Sequence, residues 1–349
     1  MQSFTCSNCG RDAFFDNRVC LGCGSELGFE PDRFAMQALT PATGDAGRQA
    51  IGGEQAHRPF KLCANARHGA CNWLLPVNAE RTLCRACALN RAIPDLSEPD
   101  QLMAWRAIEA AKKRLVYSLL RFGLGVDGCP PATPPLTFDV IRHAVTGHLD
   151  GVVTIDVAEA DAVERERRRE RFDEPYRSLL GHLRHESGHY YWTIVVEQAG
   201  LIAEFRGLFG DERDDYAAAL ARHHAHGPPG DWHRSCVSAY ASAHPWEDWA
   251  ETWAHYLHIV ETVDTAAATG MEPRAKGLAQ GAAWPFGRTD IYRDATLEML
   301  MERWFPLTAA LNELSRSMGH TDFYPFVTPA EAMPKFAFVH RAIRNAAIA

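Results

Sequence analysis

The chain has 349 residues, 46% of them hydrophobic and 23% charged, which is enough for one large domain accompanied by small modules. Its formal net charge of −8 disfavours a protein that mainly binds nucleic acid. It contains no apolar run of about eighteen residues that would span a membrane, and its first residues lack the basic and apolar segments of a secretory signal. These features predict a cytoplasmic protein without a membrane partner.

Cysteine spacing predicts a zinc-ribbon module in residues 1–30. Two Cys-x-x-Cys-Gly motifs occur there, and each can form a tight turn that presents two thiolates. Without an export signal, thiolates that bind zinc are favoured over disulfides, and the paired spacing disfavours a redox dithiol. Because so short a segment buries little core, the metal would supply most of its folding free energy. The predicted ligands of this first structural zinc are Cys6, Cys9, Cys20 and Cys23.

A second cysteine module is predicted in residues 58–96, after a linker over residues 31–57 that is rich in Gly, Ala, Pro and Thr. His68 could replace one of its thiolates. Basic residues outnumber acidic ones in this module, which predicts a solvated surface, with a weak site for an acidic partner as the alternative. The predicted ligands of this second structural zinc are Cys63, Cys71, Cys84 and Cys87.

The main domain is predicted to cover residues 97–349 and to begin with a helix over residues 97–120. Two β-branched runs, residues 136–140 and 151–157, are predicted to pair as a hairpin. The edge of such a hairpin, placed before a metal-binding helix, could hold the extended backbone of a substrate. The charged residues 162–171 are predicted to form a solvated helix or a lid.

A helix predicted over residues 176–199, with Asp173 as its cap, carries the main candidate site. His185 and His189 lie four residues apart on one face of this helix, so both imidazoles can bind one zinc. Glu186 follows the first histidine, where its carboxylate can take a proton from a zinc-activated water. The alternative is a pair of surface histidines that flank a helical glutamate.

A catalytic zinc needs a third protein ligand and an open fourth position. The candidate segment is residues 238–253, where Pro245 begins a helix rich in tryptophan. Glu247 and Glu251 share the buried side of this helix and need polar partners. A zinc ion would be the partner of the Glu247 carboxylate, and the ring N–H of a ligating histidine would donate a hydrogen bond to Glu251. Asp248 is an alternative ligand, and an exposed helix with paired acids is the alternative to the whole assignment.

This combination of motifs resembles the gluzincin branch of the zincin metallopeptidases. More closely, nearly the whole chain resembles a bacterial family of zinc-binding metallopeptidases that carry an N-terminal zinc ribbon. The segments that carry this resemblance are Cys71-Asn72-Trp73, Ile93-Pro94-Asp95-Leu96, the helix at residues 113–120, His185-Glu186-Ser187-Gly188-His189-Tyr190-Tyr191-Trp192, and Tyr240 with His244-Pro245 and Glu247 to Glu251.

The resemblance implies a role for each residue of the site. Glu186 would be the general base and acid, and Tyr240 would stabilise the developing oxyanion. Glu251 would support the metal ligands from outside the coordination sphere. The catalytic zinc would be bound by His185, His189 and Glu247.

Two further helices are predicted over residues 291–318 and 330–347. We therefore predict an α+β fold, in which two small zinc-binding modules precede a mainly helical, zincin-like metallopeptidase domain with a small antiparallel sheet. The predicted function is hydrolysis of peptide bonds in a peptide or protein substrate, with one catalytic and two structural zinc ions. The alternatives are a non-catalytic adaptor that binds protein or nucleic acid through its zinc modules, and a hydrolase that acts on non-peptide amides.

Overall fold

The computed structural model describes residues 2–42, 47–126, 134–171, 178–271 and 290–348. Its strands are β1 (Phe4–Thr5), β2 (Asp12–Ala13), β3 (Glu26–Glu30), β4 (Ala35–Pro41), β5 (Arg48–Ile51), β6 (Pro59–Leu62), β7 (Leu74–Pro76), β8 (Asn90–Ala92), β9 (Thr137–Ile141), β10 (Gly147–Leu149) and β11 (Val152–Asp156). Its helices are α1 (Pro99–Arg121), α2 (Ala162–Arg171), α3 (Leu179–Trp192), α4 (Ile202–Phe209), α5 (Tyr216–His226), α6 (Pro245–Thr269), α7 (Ile291–Asp294), α8 (Leu297–Ser317) and α9 (Met333–Ile348).

These elements confirm the predicted α+β fold, with two cysteine clusters before a mainly helical domain. The helices predicted over residues 97–120 and 330–347 are α1 and α9, whereas residues 291–318 divide into α7 and α8. The charged residues 162–171 form α2. None of the helices within the described ranges combines the length and the apolar character that a membrane span requires.

The two cysteine clusters are connected by one antiparallel sheet, in the strand order β3-β4-β5-β6-β7. The linker predicted over residues 31–57 is therefore wrong, because β4 and β5 lie within it. Ala38 and Ala50 are fully buried in this sheet. Small residues such as alanine fit between tightly packed strands. A segment rich in them also resembles a linker in its amino-acid composition.

The N-terminal sheet shares a hydrophobic core with the helical domain, and Tyr117 lies at the contact between them. Tyr117 of α1 packs among rings of the ribbon, with centroid distances of 5.3 Å to Phe15 and 5.9 Å to Phe29. Phe29 also lies 5.1 Å from Trp73, the residue before β7. Aromatic pairs at these distances stabilise the fold by more than the burial of their apolar surface alone would do. The cysteine modules are therefore packed directly on the domain that follows.

The second sheet has the order β10-β11-β9-β8 and is mixed rather than purely antiparallel. The hairpin predicted between residues 136–140 and 151–157 is wrong, because β9 and β11 run parallel. The strand β10 lies between them in sequence and forms the hairpin with β11. Its turn has positive φ angles at Asp150 (48°) and Gly151 (83°), as a two-residue Asp-Gly hairpin turn requires. The second cysteine module supplies β8, which pairs with β9.

The helices α3 and α6 cross at short distance, and this crossing positions the candidate site. Ser178 caps α3, since its Oγ accepts a hydrogen bond of 3.0 Å from Gly181 N; the predicted cap Asp173 lies outside the described residues. Across the crossing, Trp249 Nε1 donates to Gly188 O at 2.8 Å and Trp253 Nε1 donates to Ser187 Oγ at 3.1 Å. These bonds fix the register of the two helices.

Substitution of Gly188 by alanine is expected to destabilise the protein by about 1–2 kcal/mol, because it overpacks this crossing. A Cβ at Gly188 would lie 3.1 Å from both Ala250 Cα and the Trp253 ring, and the backbone atom cannot move aside. The control is Gly207→Ala in α4, where a Cβ meets nothing within 4 Å. That variant should gain about 0.5–1 kcal/mol from helix propensity. Denaturant unfolding of both variants checks this, and equal stability would contradict it.

Candidate metal and active site

Three side chains that are far apart in sequence converge at the crossing of α3 and α6. One ligand atom from each of His185, His189 and Glu247 lies within 4.8 Å of the others. Glu247 Oε2 is 3.0 Å from His185 Nε2, and Glu247 Oε1 is 3.7 Å from His189 Nε2. All three residues are buried. The two histidines are close because they lie four residues apart on α3. The carboxylate of Glu247 reaches them because α6 crosses α3 at this point.

The surroundings of this group fit a divalent cation. His185 Nδ1 donates to Glu251 Oε1 at 2.7 Å, which leaves Nε2 facing Glu247. Glu247 Oε2 is buried and accepts no hydrogen bond within the described part of the chain. Although burial opposes a charged ring, Glu247 and Glu251 raise the pKa of His185 well above its usual value. A zinc ion would need the neutral ring of His185 as its ligand, so metal binding would be coupled to the loss of a proton.

Glu251 is held in place from its other side. Its Oε2 accepts a hydrogen bond of 2.6 Å from Ser238 Oγ, while Oε1 contacts His185. A carboxylate that accepts the outer N–H of a ligating histidine fixes the ring and raises its basicity. This geometry suits the supporting role predicted for Glu251.

Glu186 lies buried beside the three converging side chains. Burial raises its pKa to about 7, and the negative charges of Glu247 and Glu251 add to this rise, while His185 opposes it. A carboxyl group with a pKa near neutrality can both take up and release a proton under physiological conditions. The pKa of His189 shifts downward, because burial lowers it to about 3 and favours the neutral imidazole.

Tyr240 lies in the short turn just before α6, and its ring centroid is 6.0 Å from that of His185. Burial, reinforced by the nearby charge of Glu247, raises the pKa of Tyr240 above its usual value. Its hydroxyl therefore keeps its proton and can donate a hydrogen bond toward the site.

A second tyrosine, Tyr216 at the start of α5, also belongs to the site and is missed by sequence reasoning. Its hydroxyl donates to Glu247 Oε1 at 2.6 Å. The start of α5 is attached to the start of α6, because His244 Nε2 donates to Asp214 O at 3.1 Å. No spacing rule links these two segments, so the sequence carries no signal for this contact.

His148 is another site residue that the motifs do not reveal. It lies on β10, the edge strand of the mixed sheet, and its ring is stacked 6.4 Å from that of His189. Burial lowers the pKa of His148 to about 4, so the ring is neutral. Its Nε2 accepts a hydrogen bond of 3.1 Å from Gly151 N. The candidate site is therefore bordered by β10, which is an edge strand among the residues that the structure describes.

Asp248, the alternative ligand, does not belong to the group. Its carboxylate pairs with Lys335 Nζ of α9, and both side chains are buried. Lys335 also donates to Ser235 O at 2.9 Å. Asp248 therefore connects α6 to α9, whereas its neighbour Glu247 faces the histidines.

The eight predicted cysteine ligands form two compact clusters, each with four Sγ atoms within 4.8 Å of one another. The sulfur distances of 3.8 Å between Cys6 and Cys23 and 3.6 Å between Cys71 and Cys84 exclude disulfides. They match the edge of a tetrahedron with Zn–S bonds of about 2.3 Å. His68, considered as a substitute ligand, accepts a hydrogen bond from Arg67 and is not part of either cluster.

Substitution of Tyr216 by phenylalanine is expected to weaken zinc binding at the histidine site about tenfold, because Glu247 loses the donor that orients it. Titration with a competing chelator measures this, and the cysteine-bound zinc serves as an internal reference. Tyr190→Phe is the control, since the Tyr190 hydroxyl donates to Pro134 O at 3.0 Å rather than to a ligand. Equal zinc affinity in the two variants would contradict the role of Tyr216.

Comparisons with known proteins agree with this geometry. Residues 101–342 match a family described as "Putative zinc-binding metallo-peptidase", and residues 3–98 match a zinc-ribbon domain. Relatives from Mycobacterium bovis and from two strains of Mycobacterium tuberculosis, described as uncharacterized proteins, are 39% identical over 353 residues, which cover 99% of this chain and 96% of theirs. No solved structure matches the chain. The chain therefore belongs to this family of zinc-binding metallopeptidases and carries the zinc-ribbon domain at its N-terminus.

Proposed function

We propose that the protein is a zinc-dependent peptidase whose zinc ligands are His185, His189 and Glu247. The observation that carries this proposal is the convergence of these three side chains, together with the burial of Glu186, which follows His185 in the sequence. Family membership supports zinc peptidase chemistry in general. Three protein ligands are typical of a catalytic zinc site, because a fourth position stays open for solvent or substrate.

Each residue of the site has a distinct role in the proposed hydrolysis. A bound zinc would lower the pKa of a water molecule and polarise the scissile carbonyl. Glu186 takes the proton from the attacking water and later delivers it to the leaving amine. Tyr240 donates a hydrogen bond to the developing oxyanion. Glu251 holds the ring of His185 through its 2.7 Å hydrogen bond.

The edge of β10 supports a peptide as the substrate. Within the described residues, β10 pairs with β11 on one side only, so its other edge can hydrogen-bond an extended chain. His148 places this edge next to His189. A substrate backbone laid along β10 would thus bring a peptide bond to the candidate metal site.

A peptide-library digest of the zinc-loaded protein tests the proposal. Hydrolysis should stop with a chelator and return when zinc is added. Small non-peptide amides are assayed in parallel, and hydrolysis of these alone would favour the amide hydrolase. Failure to cleave either class, by a protein that holds three zinc ions, would favour the adaptor. We also propose a cytoplasmic location, because cysteines that bind zinc instead of forming disulfides are typical of a reducing compartment.

A further inference from the structure

The two cysteine modules enclose a cleft that the proposed peptidase chemistry does not use. Its volume is about 930 Å³. One wall belongs to the ribbon and includes Asp16, Arg18 and Val19, and the other belongs to the second module and includes Leu62 and Arg67. The cleft therefore lies between two metal-stabilised turns, whose backbones are held by the sheet that joins them.

The acidic groups on the walls of this cleft are already neutralised. Asp16 forms an ion pair with Arg114 of α1, with 2.5 Å between Asp16 Oδ2 and Arg114 Nη2. Glu26 forms an ion pair with Arg48 of β5. Neither carboxylate is available to balance other positive charges in the cleft.

The arginines of the cleft have no such partners. Arg18 and Arg67 are exposed, and no carboxylate of the described residues lies within 4 Å of their guanidinium groups. Arg67 Nε donates instead to His68 Nε2 at 2.9 Å. Arg106 of α1 is exposed as well, and its Nε donates to His68 O at 2.5 Å. Arg18 and Arg67, which line the cleft, and Arg106, which lies beside it, thus surround one short turn, and no carboxylate of the described residues forms an ion pair with them.

The geometry at Gly69 shows how close two of these groups come. An ideal Cβ built on Gly69 would be 2.9 Å from Arg18 Nη1 and 3.4 Å from Arg106 Cζ. Guanidinium groups repel each other at short range, and a carboxylate that bridges them gains charge-assisted, bidentate hydrogen bonds. In a chain with a net charge of −8, this cluster is a local concentration of positive charge.

We infer that this cleft binds a short acidic segment of a protein, with its carboxylates on Arg18 and Arg67. The walls favour a peptide over nucleic acid. Val19 is 50% exposed and, with Leu62, offers an apolar contact to side chains between the acids. The formal net charge of −8 opposes a long phosphate backbone more strongly than it opposes a short segment with a few carboxylates. The inference does not depend on peptidase activity.

The test uses fluorescence anisotropy with the full-length, zinc-loaded protein and three labelled probes. These are a peptide of alternating Glu and Leu, the same peptide with Gln in place of Glu, and a single-stranded oligonucleotide of similar length. We expect binding of the Glu peptide at least about tenfold tighter than binding of the Gln peptide, as two charge-assisted bonds would give. Mass spectrometry verifies that the peptides remain intact during the measurement.

The double variant Arg18→Ala with Arg67→Ala should lose about tenfold of the affinity for the Glu peptide. Arg81→Ala is the matched control, because Arg81 is an exposed arginine of the same module that does not line the cleft. Both altered side chains are exposed, so zinc content and thermal stability should not change. Equal binding of the two peptides, an unchanged affinity in the double variant, or a preference for the oligonucleotide would overturn the inference.

Discussion

Glu186→Gln is expected to leave the zinc content unchanged and to lower the rate of peptide hydrolysis about 10³-fold. The amide has nearly the size of the carboxylate, so it fits the buried position beside His185. It cannot take the proton from the attacking water, however, and it cannot return one to the leaving amine. The loss should therefore appear in kcat, with little change in KM.

Glu197→Gln is the matched control for this variant. Glu197 lies in the turn that continues α3, eight residues after His189, and its side chain is exposed. Its substitution should leave kcat unchanged. Single-turnover assays with one fluorogenic peptide, combined with metal analysis of each variant, make the comparison. Full activity of Glu186→Gln would refute the role of this carboxylate as base and acid.

Glu247→Ala is expected to lower the zinc content from three ions per chain to two. The variant removes one of the three proposed ligands from a buried site, whereas the two cysteine clusters keep their four cysteines each. Removal of the carboxylate also leaves Tyr216 without its acceptor. Elemental analysis after dialysis measures the zinc content, and activity should fall with the loss of the third ion.

Asp248→Ala separates the effect of zinc loss from that of structural damage. It removes the neighbouring carboxylate and leaves the buried Lys335 without its ion-pair partner, which costs about 3 kcal/mol. This variant should be less stable but should keep three zinc ions. The reverse pattern, with zinc lost from Asp248→Ala and kept in Glu247→Ala, would assign the ligand to Asp248.

The local parts of the site could be read from the sequence. A helix places residues four apart on one face, so the spacing of His185 and His189 holds in any fold that keeps the helix. Glu247 and Glu251 could be found in the same way, because two acids on the apolar side of a tryptophan-rich helix need polar partners. These predictions rest on the geometry of single helices.

The remaining features depend on contacts between elements. Tyr216 reaches Glu247 only because His244 attaches the start of α5 to α6. The strands β4 and β5 were hidden because Ala38 and Ala50 give no alternating pattern of large apolar residues. The parallel pairing of β9 and β11 follows from the intervening hairpin, for which the Asp-Gly turn at residues 150–151 was the available signal.

The insertion of Tyr117 into the ribbon has a practical consequence for dissecting the molecule. The same helix that begins the peptidase domain provides the aromatic ring against which Phe15 and Phe29 pack. A fragment truncated before α1 would leave this ring facing water, and would also lack β8 at the border of the mixed sheet. The domain that matches the peptidase family and the cysteine modules therefore share packed aromatic rings. Truncation between them would disturb both parts, so it is a poor way to assign separate functions to them.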